Sequence, residues 1–206
     1  SMIAKLIVHG ADRAQALARL DAALAAVRIV GLQTNVQFLR HILATPSFSQ
    51  GKLDTALIQR EEALLFKRRT LGLDTAAAAA VVAELLHERA SEGADPFSRR
   101  DGWRSHGLVE RRFEFDFGGV HAKASLAYLH DGALRLIVGE GAEAVTGPLV
   151  FAPTERGIDL QYAGQRTLAA VYAQGETDHV FTPQGATQIV AIDLLAHAGE
   201  DQDEGG

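Results

Sequence analysis

The chain has 206 residues, 47% of them apolar, a formal charge of −6 and no cysteine. That is enough for one large domain or two small ones with real cores. It excludes disulfides, thiolate metal sites and cysteine nucleophiles, and it offers no basic surface for nucleic acid, the longest basic run being Lys67-Arg68-Arg69. No apolar run reaches the ~20 residues of a membrane span. The start, Met2–Val8, carries Lys5 and lacks a cleavage site, so it does not read as a signal peptide.

Met2–His9 is a short apolar run closed by Gly10 and predicts a strand buried on both faces. Asp12 predicts the cap of a helix to about Val27, with Leu17, Leu20, Leu24 and Val27 on one stripe. Arg28–Gln33 predicts a second strand. Thr34 then predicts the cap of a helix with Val36, Leu39 and Leu43 inward, ended by Pro46. The order β-α-β-α is a helix-on-sheet layer, and two strands with two helices make an incomplete one. Either later strands complete its edge, or the chain is part of a longer protein, which is the preferred reading.

Lys52–Arg69 reads as a connection that becomes helical from about Glu61, with Leu64 and Leu65 inward. Asp74–Ala90 is the most unusual stretch. Alanine is the best helix former, Asp74 or Thr75 is a capping residue, and no polar residue interrupts Ala76–Ala83. A helix apolar on all sides is buried on all sides, so something must wrap it. Ser91–Gly107 reads as a long loop anchored by Phe97 and Trp103.

From Leu108 the period becomes two. Phe113, Phe115 and Phe117 alternate with Glu114 and Asp116, and Gly118-Gly119 predicts a hairpin turn. Val120–Tyr128 alternates likewise, His130-Asp131-Gly132 predicts another turn, and Ala133–Val138 follows. Then come Ala142–Val145, Leu149–Phe151, Ile158–Tyr162, Arg166–Ala173, His179–Thr182 and Ala186–Leu195. That is eight or nine strands in sequence, the pattern of an antiparallel meander or barrel. Ala122, Ala124 and Ala169 are small inward residues that let strands close tightly around the helix. The fold class is therefore α+β: an N-terminal β-α-β-α layer, then a long buried helix wrapped by an antiparallel barrel of about eight strands. Residues 199–206 read as an acidic tail or linker.

The eight histidines form no i, i+4 pair and no His-Glu-x-x-His, which argues against a metal site. No Gly-x-Ser-x-Gly elbow occurs. Gly139-Glu140-Gly141 joins two strands and reads as a turn, not a dinucleotide loop. Residue chemistry alone thus gives an α+β protein with no visible active site, and a barrel that binds a small apolar ligand around its helix stays open as one reading.

A resemblance narrows this. The strand around Ser1–His9, then Val30-Gly31-Leu32-Gln33-Thr34-Asn35 with Phe38-Leu39, and Asp54-Thr55-Ala56-Leu57-Ile58 resemble the C-terminal end of the biotin carboxylase domain of biotin-dependent carboxylases. Leu64–Arg69, the alanine-rich helix, Asp95-Pro96-Phe97 and Asp101-Gly102-Trp103-Arg104 resemble the α subunits of 3-methylcrotonyl-CoA carboxylase and its geranyl-CoA relative. The resemblance implies a biotin carboxylase end over 1–60, a linking domain over 61–198, and a linker toward a biotin carrier domain over 199–206. It implies ATP, bicarbonate and biotin with magnesium for the parent enzyme, and none of them for this piece. The biotin-accepting Met-Lys-Met does not occur here, where the lysines are Lys5, Lys52, Lys67 and Lys123 and the only methionine is Met2. It implies partners: the carboxyltransferase β subunit, the rest of the carboxylase domain and the biotin carrier domain. Nucleic acid and membrane are not expected partners, and the expected location is a bacterial cytoplasm. It assigns Thr55 to the edge of an adenine pocket. Phe97 and Trp103 read equally as subunit-interface anchors and as plugs of the barrel mouth.

Overall fold

The computed structural model describes residues 4–32, 34–65, 71–91 and 109–192. These fall into two compact units, one built from the N-terminal helices and one from a central helix and a barrel.

In the N-terminal unit, helix α1 spans Arg13–Ala26 and is capped as expected, with Asp12 accepting from the Gln15 N–H at 2.8 Å. Gln15 reciprocates on the Ala11 N–H at 2.8 Å. Gly10 allows the chain to enter closely, because a Cβ there would lie 2.4 Å from the Ala16 nitrogen. Helix α2 spans Val36–Ala44, and its cap position is Asn35, one residue later than expected from Thr34; the first turn closes on the Asn35 carbonyl. Pro46 does follow the end of α2, but it also opens the one-turn helix α3, Pro46–Ser49, as its first residue. Buried Thr45 caps it. Single-turn helices α4 (Leu57–Arg60) and α5 (Glu62–Leu65) follow. The Arg40–Asp21 ion pair at 2.8 Å ties α2 to α1, and His41 Nδ1 donates to the Leu65 carbonyl at 3.0 Å.

Two expectations fail in this unit. Neither 4–9 nor 28–32 forms a strand. An apolar run supplies strand-like side chains, but a strand exists only through ladder bonds to a neighbour, and no described residue provides them. Instead of being buried on both faces, Ile7 is 75% exposed and Leu32 61%. The layer is therefore helical among the described residues. Leu64 is exposed as well, and Leu65 alone of that pair is buried, since adjacent helical residues point about 100° apart.

The second unit begins with α6, Leu73–Ser91. Asp74 and Thr75 lie inside its first turn and not at the cap, where Asp74 still faces the positive end of the helix dipole. Ala76–Val82 are each 0–2% exposed, so the all-round burial expected from the alanine run is present. Eight antiparallel strands close around it in sequence order. They are β1 Val109–Phe117, β2 Val120–Tyr128, β3 Leu134–Val138, β4 Val145–Thr154, β5 Gly157–Tyr162, β6 Gln165–Gln174, β7 Thr177–Thr182 and β8 Gly185–Ala191. The β1–β2 turn uses Gly118 and Gly119 at φ 64° and 85°, the conformation a two-residue hairpin requires. Ala122, Ala124 and Ala169 are buried as expected.

Two expected strands, 142–145 and 149–151, are in fact one. Residues 141–143 form a 3₁₀ turn, and β4 runs unbroken through Gly147-Pro148. The first half of β4 pairs with β3 and the second half with β5. Strand β6 likewise pairs with β5 over 165–169 and with β7 over 170–174. These two long strands turn the corners that close the barrel.

Tyr162 marks one end of the interior. Its hydroxyl donates to the Val145 carbonyl at 2.6 Å, and burial pushes its pKa up to about 12. Tyr162→Phe is expected to lower stability by about 1–2 kcal/mol, because the carbonyl loses a partner it cannot replace with water. The raised pKa makes the parent lose stability as pH rises from the unfolded value of 10.0 through about 12. Urea midpoints at pH 9 and 11.5 should fall further for the parent than for the variant. Equal falls would contradict the burial of this hydroxyl.

Candidate functional site

The polar chemistry of the barrel unit gathers where the C-terminal turns of α6 meet β1. Arg111 lies in phase with inward Phe113 and Phe115, so the strand directs it toward the helix. Its Nη1 donates to Glu88 Oε2 at 2.7 Å, and its Nη2 to Glu88 Oε1 at 3.0 Å and Glu84 Oε1 at 2.9 Å. Glu84 and Glu88 are one turn apart on one helix face, which lets a single guanidinium hold both. The same guanidinium sits 5.1 Å from the Phe113 ring centroid. Arg89 lies 5.4 Å from the Phe151 ring in a second helix–strand contact.

Burial raises the Glu84 carboxyl; Arg111 opposes this, while Glu88 and Asp178 add to it. Asp178, on β7, is also pushed up by burial, with His179 working the other way. Among the described residues, no group of three or more His, Asp or Glu is arranged to hold a metal. No described helix is long and apolar enough to cross a membrane.

The outer face of β1–β3 is charged and self-paired. His121 lies 2.8 Å from Glu114, and Lys123 bonds Glu140 at 3.0 Å. Pairs at the surface such as these contribute little to stability.

Of the site residues expected from sequence, Thr55 stands exposed in the turn before α4. Its neighbour Asp54 accepts from the Ala56 N–H at 3.0 Å and pairs with Arg60 at 3.0 Å, and the Arg60 hydrogen bond holds the Asp54 carboxyl below its ordinary value. Phe97 and Trp103 lie outside the described residues. Sequence reasoning passed over Arg111. The available signal was an arginine in phase with inward phenylalanines, after a helix whose two glutamates, Glu84 and Glu88, are spaced i, i+4.

Comparison with known proteins gives two family matches. Residues 1–60 match the biotin carboxylase C-terminal domain, and residues 72–194 match the BT domain of the methylcrotonyl-CoA carboxylase α subunit. A methylcrotonoyl-CoA carboxylase subunit α from Dictyostelium discoideum is 32% identical over 120 residues, covering 56% of this chain and 17% of that protein. The Rattus norvegicus protein of the same name is 30% identical over 198 residues, covering 91% and 28%. A biotin carboxylase from Nostoc is 44% identical over 59 residues, covering 29% and 13%. The chain thus spans less than a third of the length of the α subunits it matches.

Proposed function

Because the chain belongs to the methylcrotonyl-CoA carboxylase α-subunit family and carries its BT domain, we propose that it is a non-catalytic scaffold of an ATP-dependent, biotin-dependent acyl-CoA carboxylase. In this reading residues 1–60 close a biotin carboxylase domain. Residues 61–198 form the linking domain that docks on the carboxyltransferase β subunit, and 199–206 lead toward the biotin carrier. The physical benefit is effective concentration: a biotin tethered near two active sites reacts faster than a dilute one.

One observation carries this reading. Ala76–Val82 fill the barrel axis at 0–2% exposure, so the space an apolar ligand would need is already taken. What the barrel has to offer a partner is its surface. That weighs against the alternative of a small-ligand carrier.

The residues present do not fit the parent enzyme's cofactors by themselves. Exposed Thr55, assigned to the edge of an adenine pocket, stands beside the Asp54–Arg60 ion pair, and an exposed turn alone does not enclose a nucleotide. Lys123 is engaged by Glu140, and no lysine lies between methionines.

Mixed with a carboxyltransferase β subunit of the same enzyme class, the chain is expected to co-sediment with it. Residues 71–206 should retain the binding and residues 1–65 should lack it. Binding that follows residues 1–65, or uptake of an apolar dye by the folded chain without β-subunit binding, would overturn the proposal.

A further inference from the structure

Helix α6 poses a mechanical question. Ala76–Ala80 present a methyl group in every direction, at 100° per residue, so that part of the helix looks nearly the same to the barrel after any turn about its axis. Greater bulk lies on either side of that stretch, at Leu73 before it and at Val81, Val82, Leu85 and Leu86 after it. A close-packed interior normally holds its parts by interlocking shape, and the alanine stretch offers little to interlock, leaving that task to a few larger side chains. A directional polar contact at the helix end adds a constraint on rotation that methyl groups cannot supply.

Arg111 supplies that contact. It makes three hydrogen bonds at 2.7–3.0 Å to two carboxylates one turn apart, and its planar fork allows little freedom in where they lie. Its own position is held by its place in β1 and by Phe113 beneath it. Glu88 is only 17% exposed in its side chain and Arg111 27%, so water competes weakly for the contact. The Arg89–Phe151 contact lacks a fixed hydrogen-bond direction and ties the same end more loosely.

We propose that Arg111 is a registry pin. It sets the rotational position of α6 inside the barrel, and its removal lets the helix turn while the barrel stays closed. Among the described residues, the titratable groups that act on the pin include Glu84 and Glu88 on the helix, Tyr128 on β2, and Asp178 on β7, whose charge acts on Glu84. The pin makes the orientation of the helix end a property the barrel wall controls.

The absence of cysteine allows clean labelling. Nitroxides would be placed at exposed His87 on the helix and at exposed Gln161 or Arg135 on the barrel wall, and distances read by pulsed electron resonance. The parent is expected to give one narrow distribution for each pair. In Arg111→Gln both helix–wall distributions should shift or broaden by several ångströms, since a 100° turn moves a side-chain tip by about 8 Å on a helix of this diameter. A wall–wall pair, Gln161 with Arg135, should stay narrow, and Arg111→Lys should recover part of the narrow distribution. If Arg111→Gln fails to fold, Glu84→Gln with Glu88→Gln releases the same pin from the helix side. Unchanged helix–wall distributions would overturn the proposal. So would equal broadening of the wall–wall pair, or unfolding of both variants, because either makes Arg111 a general stabiliser.

Discussion

Ala79→Glu is expected to abolish cooperative folding of the barrel unit and not merely to loosen one helix. Ala79 is 0% exposed, and its neighbours Ala76–Val82 are all within 2% of full burial. A carboxylate there meets methyl groups and the inward faces of the strands. Arg111 already holds Glu84 and Glu88, and Glu84 lies about 7.5 Å further along the axis, at 1.5 Å per residue. Burying an unpaired charge costs several kcal/mol even when the group picks up a proton instead, and the added volume strains a packed interior further. A domain of this size has roughly 5–15 kcal/mol in total. The loss is therefore comparable to the whole margin. The helix-favouring character of glutamate does not rescue it, because propensity differences are only tenths of a kcal/mol. The control is His87→Glu on the exposed part of the same helix, where little change is expected. Thermal melts followed by circular dichroism decide the matter. A cooperative Ala79→Glu melt near the parent temperature would show that this face of α6 is not enclosed.

The enclosed helix was legible because its signal is local: an unbroken apolar girth has one physical solution. The hairpins were legible for the same reason, since Gly118-Gly119 and Asp131-Gly132 carry their turn geometry in adjacent residues. What failed depended on partners distant in sequence. Met2–His9 and Arg28–Gln33 have strand-like side chains, yet strand formation belongs to a pair of segments and not to one. Gly147-Pro148 looked like a break, but β4 passes through it because both residues keep register with β3, Gly147 opposite Leu136 and Pro148 opposite Arg135. Arg111 was missed because alternation marks a position as inward without saying that the inward position is where a helix end brings two carboxylates. No single stretch states that juxtaposition.

Gly157→Ala is expected to destabilise the barrel by about 3 kcal/mol or more, for a reason equally absent from the local sequence. Gly157 opens β5 at φ 138°, where an L side chain is strained by about 1–3 kcal/mol. A Cβ there would also lie 2.3 Å from the Ala169 carbonyl oxygen and 3.1 Å from its carbon. Those atoms are backbone, in β6, at the point where that strand leaves β5 and takes up β7. They cannot rotate aside as a side chain would, so either the corner moves or the β4–β5 hairpin does. Thr154 Oγ1 donates to the Gly157 carbonyl at 2.8 Å, which holds the hairpin in place and closes that escape. Gly132 separates strain from collision. Its φ is 81°, but a Cβ there meets nothing within 4 Å, so Gly132→Ala should cost only about 1 kcal/mol. Urea denaturation of both variants against the parent measures the difference. Similar small losses at the two positions would mean that β6 does not press on Gly157, and that the barrel corner lies elsewhere.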